Sequence, residues 1–150
     1  MELILFTGLQ GSGKSTFYHA HFADTHLRIN LDMLRTRRRE SAILTACLSC
    51  GQRLVIDNTN PTAEDRARYL NPARRARFRT VAYAFHTPFQ VCHARNAARS
   101  GKKKRVPDVG LKATASKRTD PAPDEGFDQI FSVDQNGVAT LTWSRPDEVR

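Results

Sequence analysis

The chain predicts an α/β fold with a central parallel sheet flanked by helices, and three observations carry that reading. Short apolar runs at Leu3–Phe6, Leu54–Ile56 and Val81–Phe85 are each followed by a segment of helical spacing, the alternation expected of parallel strands buried between helices. A glycine-rich stretch, Gly8 to Ser15, follows the first run directly. Asp32 and Asp57-Asn58-Thr59 fall just after the second and third strand candidates, beyond the carboxyl ends where such sheets collect ligands.

In chain order, Leu3–Phe6 is a buried strand ended by Gly8, and Ser15–Ala23 reads as a helix. Leu27–Ile29 is a brief second strand. From Asp32 to Cys50 the residues Leu34, Ile43, Leu44 and Leu48 recur at roughly helical spacing until Gly51. The strand Leu54–Ile56 stops at Asp57, and Thr62 with Asp65 makes a capping box for the next helix. Val81–Phe85 is a further strand. Pro88 opens a helix through Arg99, a second helix spans Val109–Arg118, and the proline-rich stretch 119–126 is irregular. Gln135-Asn136-Gly137 marks the turn of a C-terminal hairpin between Gly126 and Trp143.

At 150 residues the chain is one domain's worth, enough for a single core. No apolar run approaches the roughly 20 residues of a membrane span. The start lacks the basic region and cleavage site of a secretory leader, so the expected compartment is the cytoplasm, with no membrane partner. Lys and Arg total 24 against 15 Asp and Glu, a net charge of +9, which points to an anionic partner, nucleic acid first. Cys47, Cys50 and Cys92 lack the second pair that a zinc site needs and read as reduced thiols, the first two half-buried.

Gly8-Leu-Gln-Gly-Ser-Gly-Lys-Ser15 fills every fixed position of G-x-x-x-x-G-K-[ST], between a strand and a helix. Chemistry dictates these residue types. Glycines let successive backbone N–H groups turn around an anion, and the following helix adds the positive end of its dipole. In this phosphate loop, or P-loop, Lys14 reaches the β- and γ-phosphates and Ser15 offers its hydroxyl to Mg²⁺. Gly8, Gly11, Ser12, Gly13, Lys14, Ser15 and Thr16 are therefore the expected ATP-binding residues, with Mg²⁺ between Ser15 and Asp57.

Phosphoryl transfer also needs a carboxylate near the acceptor hydroxyl and cations near the transferring group. Asp32 and Asp57 compete for the first role, Asp32 favoured by its place after the second strand. Arg95 and Arg99 lie one helical turn apart before the basic stretch 100–105. Together they suggest a short basic lid over residues 99–106 that closes on the triphosphate. A solvated helix end explains the same residues equally well.

Leu54-Val-Ile-Asp-Asn-Thr-Asn-Pro61, followed by Arg66-Ala-Arg68-Tyr69, resembles the kinase domain of the 5′-hydroxyl polynucleotide kinases, including the kinase-phosphatases. Asn30-x-Asp32, Arg95-Asn96-x-x-Arg99, Val106-Pro107 and Glu125-Gly126-Phe127 fall in that family's order, so the likeness covers about residues 2 to 133. It implies an adenylate-kinase-like P-loop core that moves the ATP γ-phosphate to 5′-OH ends of DNA or RNA in nucleic-acid end repair. By this resemblance Asp32 is the general base, Lys14 and Arg99 serve the donor phosphates, and Arg35, Asn58 and Thr59 line the acceptor site. Asn58 departs from the carboxylate that some phage members carry there. No phosphatase signature is present, so the expectation is a kinase without a phosphatase domain.

Basic residues group around these positions: Arg35 and Arg37 to Arg39, with Arg38 assigned to the acceptor, and Arg66, Arg68, Arg74, Arg75, Arg77 and Arg79. A rim of arginines would hold nucleic-acid phosphates with little sequence preference, since few aromatics accompany them. Two other readings stand beside this one. A small-molecule kinase of the same core would not need a basic rim. A nucleotide-dependent binding module has no chemical need for Lys14, Asp32 and Arg99 together.

Overall fold

The computed structural model describes residues 1–99 and 105–146. In order come β1 (Glu2–Thr7), α1 (Lys14–His21), β2 (Leu27–Ile29), α2 (Leu31–Leu34), α3 (Arg37–Cys50), β3 (Leu54–Ile56) and α4 (Ala63–Arg75). Then follow β4 (Arg79–Phe85), α5 (Phe89–Ala97), α6 (Asp108–Lys117), β5 (Gln129–Val133) and β6 (Ala139–Ser144). The strands form one sheet in the order β2-β3-β1-β4-β5-β6. Five run parallel; β6 pairs antiparallel with β5. The Asn136-Gly137 signal is real: Gly137 turns the hairpin at φ 79.

Side chains alternate across each strand and so divide the core in two. Leu3, Leu5, Ile29, Leu54, Ile56 and Ala82 face α3 and α4, meeting Leu44, Tyr69, Leu70 and Phe78. Ile4, Phe6, Val55, Val81 and Phe85 face α1, meeting Phe17 and Tyr18. Phe6 packs edge-on against Phe85 with ring centroids 5.0 Å apart. A smaller cluster of Leu9, Cys92 and Leu111 seats the glycine loop on α5 and α6.

The expected helix from Asp32 to Cys50 is two helices. Arg35 adopts φ 76, which no L-residue continues in a helix, and the Thr36 side chain accepts from Arg39 N to start α3 afresh. The break turns α2 and α3 into separate levers over the carboxyl end of β3. The capping box of Thr62 and Asp65 is present at α4. Stretch 119–126 contains a 3-10 turn at Pro123–Glu125. Cys47 is buried and Cys50 exposed, both free thiols, because the final turn of α3 carries Cys50 off the sheet-facing side. Among the described residues no helix is long and apolar enough to cross a membrane.

Candidate active site

A cleft of about 1460 Å³ opens beyond the carboxyl ends of β1, β2 and β3, beside the place where the connections leaving the neighbouring strands β1 and β3 run to opposite sides of the sheet. The loop from Gly8 to Ser15 forms its floor. Gly11 sits at φ 80, where a Cβ would lie 2.7 Å from Cys92 O, so only glycine allows the loop to close onto α5. Gly8 N donates to Thr59 O (3.0 Å) and Thr87 Oγ1 donates to Ser12 O (2.9 Å). Asn60, held at φ 44, donates to Phe6 O (2.8 Å), and its own carbonyl accepts from Thr7 Oγ1 (2.9 Å). The Asp-Asn-Thr-Asn stretch is therefore a brace for the loop as well as a cleft wall.

Lys14 is buried and donates to Gly8 O (3.0 Å) and Leu9 O (2.8 Å). Burial lowers its pKa to about 8, an effect that the nearby Asp57 charge opposes. An ammonium desolvated to this degree is stabilised by any anion that enters the loop. The loop thus fits the phosphates of ATP by two features: a turn that a Cβ would fill and a buried cation awaiting its counterion.

Ser15 Oγ donates to Asp57 Oδ2 (3.1 Å), giving the hard oxygen donors that suit Mg²⁺. Arg28, on β2, occupies the same corner. Its Nε donates to Asp57 Oδ2 (2.8 Å) and its Nη2 to Ser15 Oγ (3.0 Å). A positive group thus already rests on both candidate metal donors, and its charge is offset by Asp57. Nothing in the sequence marked Arg28: an arginine in a three-residue strand carries no motif.

The opposite wall carries Asp32. Its carboxylate is exposed in the cleft and engages no hydrogen bond or ion pair among the described residues. Two asparagines fix the short helix beneath it. Asn30 caps α2 by accepting from Met33 N (3.0 Å) and donates to Asp57 O (2.7 Å), while Leu31 N donates to Asn58 Oδ1 (2.9 Å). Asn58 is itself anchored, donating to Glu40 Oε2 and Tyr69 Oη at 3.1 Å each. Glu40, only 2% exposed, also accepts from Tyr69 Oη (3.0 Å) and Arg37 Nη1 (2.8 Å). Burial first, then the Glu40 charge, push the Tyr69 phenol up to about 12, so it remains a donor. The sequence offered no signal for this network, whose bonds, apart from Arg37 to Glu40 on one helix, join residues 11 to 32 apart.

The remaining expected site residues divide. Thr16, Arg35, Asn58 and Thr59 line the cleft, as do Gly11, Ser12, Gly13, Arg95 and Arg99. Gly8 lies beneath it, lending its carbonyl to Lys14. Arg38 is exposed and does not line the cleft, because one residue along α3 from Arg37 turns it by about 100°. Arg95 donates to Gly11 O (3.3 Å) and Gln135 O (3.0 Å). Asn96 clips the base of the expected lid through two bonds to the main chain of Val106, at 2.6 and 2.9 Å. The lid residues 100–104 lie outside the described residues.

The basic rim is smaller than the sequence suggested. Arg66 is fully buried and pairs with Glu125 (2.7 Å), tying α4 to the 3-10 turn. Arg74, Arg77 and Arg79 border a separate depression. Helix α4 runs back against the parallel strands, so its last turn and the start of β4 lie at the amino ends, away from the cleft. On the acceptor wall the arginines are Arg35, Arg37 and Arg68.

Residues 3–121 match the family model described as an AAA domain. The chain belongs to that family. This AAA-domain chain is also 30% identical to the "Putative bifunctional polynucleotide phosphatase/kinase" of Acanthamoeba polyphaga mimivirus, over 96% of its own length and 37% of the relative's. It is 24% identical to the bifunctional polynucleotide phosphatase/kinase of Schizosaccharomyces pombe, over 88% and 33%. The chain spans about a third of the length of these curated relatives. Its fold matches that of Kti12 from Chaetomium thermophilum in complex with ADP-AlF3 (TM-score 0.71, 16% identity, 88% of each chain). It also matches a sugar kinase from Janibacter sp. (TM-score 0.64, 19% identity, 91% and 86%). The P-loop kinase fold and the likeness to polynucleotide kinases expected from the sequence are both borne out.

Proposed function

We propose that this chain transfers the γ-phosphate of ATP to the 5′-hydroxyl of a nucleic-acid strand, DNA or RNA. The observation that carries the reading is Asp32: an unengaged carboxylate braced on the wall facing a buried lysine, across one open cleft. Asp32 accepts the proton of the acceptor hydroxyl as its oxygen bonds to the γ-phosphorus and the bond to the β-γ bridging oxygen breaks. ADP leaves with that electron pair. Lys14 and Arg99 offset the charge that gathers on the phosphoryl oxygens. Ser15 and Asp57 are the residues that would hold Mg²⁺, with Arg28 giving up its bonds to them, and the ion would neutralise phosphate charge.

The nucleic-acid acceptor draws support from the named relatives and from Arg35, Arg37 and Arg68 on the acceptor wall. Arg37 is held in place by Glu40 and Tyr69, so little side-chain freedom is lost when it meets a phosphate. A sugar or nucleoside acceptor is the competing reading, favoured by the fold neighbours alone.

The test is transfer of labelled phosphate from ATP to a 5′-OH oligonucleotide, run beside nucleosides and sugars at equal hydroxyl concentration. The expected outcome is labelling of the oligonucleotide, lost when its 5′ end already carries phosphate. Preferential labelling of a sugar or nucleoside overturns the reading.

A further inference from the structure

Four arginines from three separate parts of the chain converge on a depression of about 310 Å³: Arg74 and Arg77 at the end of α4, Arg79 at the start of β4, and Arg145 after β6. The depression lies at the amino ends of β4 and β5. Strand β4 runs from Arg79 here to Phe85 in the cleft wall, about 20 Å at the rise of a strand.

Convergence of like charges is unfavourable unless an anion offsets it. Asp128 is the one carboxylate among the lining residues. It already accepts from Thr80 N (2.9 Å) and Thr80 Oγ1 (3.3 Å) and is ion-paired with Arg145 (3.0 Å). Arg79 pairs with Glu2 (3.3 Å). Arg74 and Arg77, both exposed, form no ion pair among the described residues.

The backbone is arranged to present these two groups. Gly126 sits at φ 108, and a Cβ there would lie 2.6 Å from Arg74 Nη1. Only glycine lets the Arg74 guanidinium rest against the main chain. Arg77 adopts φ 63, a conformation unfavourable for a long side chain, yet Arg77 N is satisfied by Arg74 O (3.0 Å) and Phe78 N by Ala73 O (2.9 Å). The turn is fully bonded and projects Arg77 over the depression.

We propose that this pole is a second anion site, which binds the phosphodiester backbone of a nucleic acid outside the catalytic cleft. Guanidinium forks match phosphate oxygens. The only aromatic lining residue, Phe78, is buried, so the site holds backbone and reads no base. The proposal rests on the nucleic-acid reading of the cleft for its choice of polyanion, and the two are separable by experiment.

A covalently closed single-stranded DNA circle has no 5′ end to enter the cleft. Binding of such a circle is measured by anisotropy across a salt series, for the unmodified chain and for the Arg74→Gln/Arg77→Gln double variant. Neither side chain forms a hydrogen bond or ion pair among the described residues, so thermal melting of the variant is expected to stay unchanged. The unmodified chain is expected to bind the circle. The variant should bind on the order of tenfold more weakly at 0.1 M salt, with the salt slope reduced by about 1.4. Its transfer to a dinucleotide acceptor, too short to span the roughly 20 Å between the sites, should be unaltered.

Failure to bind the circle, or equal binding by the variant, overturns the proposal even if 5′-OH labelling succeeds. Binding of polyglutamate in place of the circle overturns it in favour of an acidic protein partner. Retention of the circle by a chain that labels no 5′ end sinks the catalytic reading and leaves this one standing.

Discussion

On the donor wall of the cleft, eight consecutive residues form the glycine loop, and Lys14 is its buried cation. On the acceptor wall, no such run exists. Asp32 is held through α2 by Asn30 and Asn58, and Asn58 in turn by Glu40 and Tyr69, which Arg37 bonds from α3. One wall is built from backbone, braced from outside by Thr59, Asn60 and Thr87. The other is built from side chains and depends on a buried carboxylate that never reaches the cleft. A donor site made this way suits any P-loop enzyme; under the proposed function, substrate choice and alignment belong to the acceptor wall.

The sharpest way to break this division is at Asp32. Asp32→Asn should lower phosphoryl transfer about 10³-fold, within the range attributed to a general base, and leave the Kd for ATP within about twofold. Equilibrium ATP binding and single-turnover transfer measure the two sides separately. A variant that keeps more than about a tenth of the transfer rate removes Asp32 from proton transfer.

Glu40 tests whether the acceptor wall acts as a unit. Glu40→Gln places an amide against the donors of Tyr69, Arg37 and Asn58, costing about 2–3 kcal/mol of stability. If the wall is a unit, kcat/KM for the acceptor falls about tenfold with ATP affinity unchanged. Tyr69→Phe removes one donor and should show the same pattern at smaller size. A loss of ATP affinity in either variant would mean that the two walls are not independent.

The same contrast explains what the sequence could disclose. The strand positions along the chain follow from buried apolar runs, the loop from its glycines, and the α4 cap from Thr62 and Asp65, all of them local patterns. The break at Arg35 was illegible because φ 76 at an arginine is imposed by Thr36 capping α3 and by Asn58 capturing Leu31. Arg66 looked like a surface arginine because nothing nearby reveals Glu125, 59 residues on. The arginines of the α4 end were misplaced for a topological reason: sequence proximity to an acceptor helix says nothing about which end of the sheet that helix reaches.

Lys14 gives the donor wall a signature in pH. Its pKa is about 8 in the ligand-free chain, and bound phosphates favour the charged form. Below about pH 7 the lysine is already protonated and contributes no proton uptake. Near pH 8.5 it is mostly neutral, so ATP binding should take up close to one proton, read by calorimetry in buffers of different ionisation enthalpy. The folded form binds the proton less tightly than the unfolded one. This group's contribution to stability therefore rises with pH between about 8 and 10.5. Absence of uptake would mean that the lysine stays on its loop carbonyls when nucleotide enters.

The smallest expected effect is at Arg28, where the two walls meet. Its guanidinium holds Ser15 and Asp57 together, so a divalent ion must displace it to reach either oxygen. Arg28→Gln removes the competing charge and should tighten Mn²⁺ binding to the nucleotide-free chain a few-fold, as measured by paramagnetic resonance. In saturating ATP the difference should shrink, since the phosphates then supply much of the attraction for the metal and draw Arg28 away from it. Equal Mn²⁺ affinity in both proteins would show that Arg28 leaves the corner at no cost. The acceptor strand β2 would then carry no influence over the metal, and the separation between the walls would extend through their shared corner.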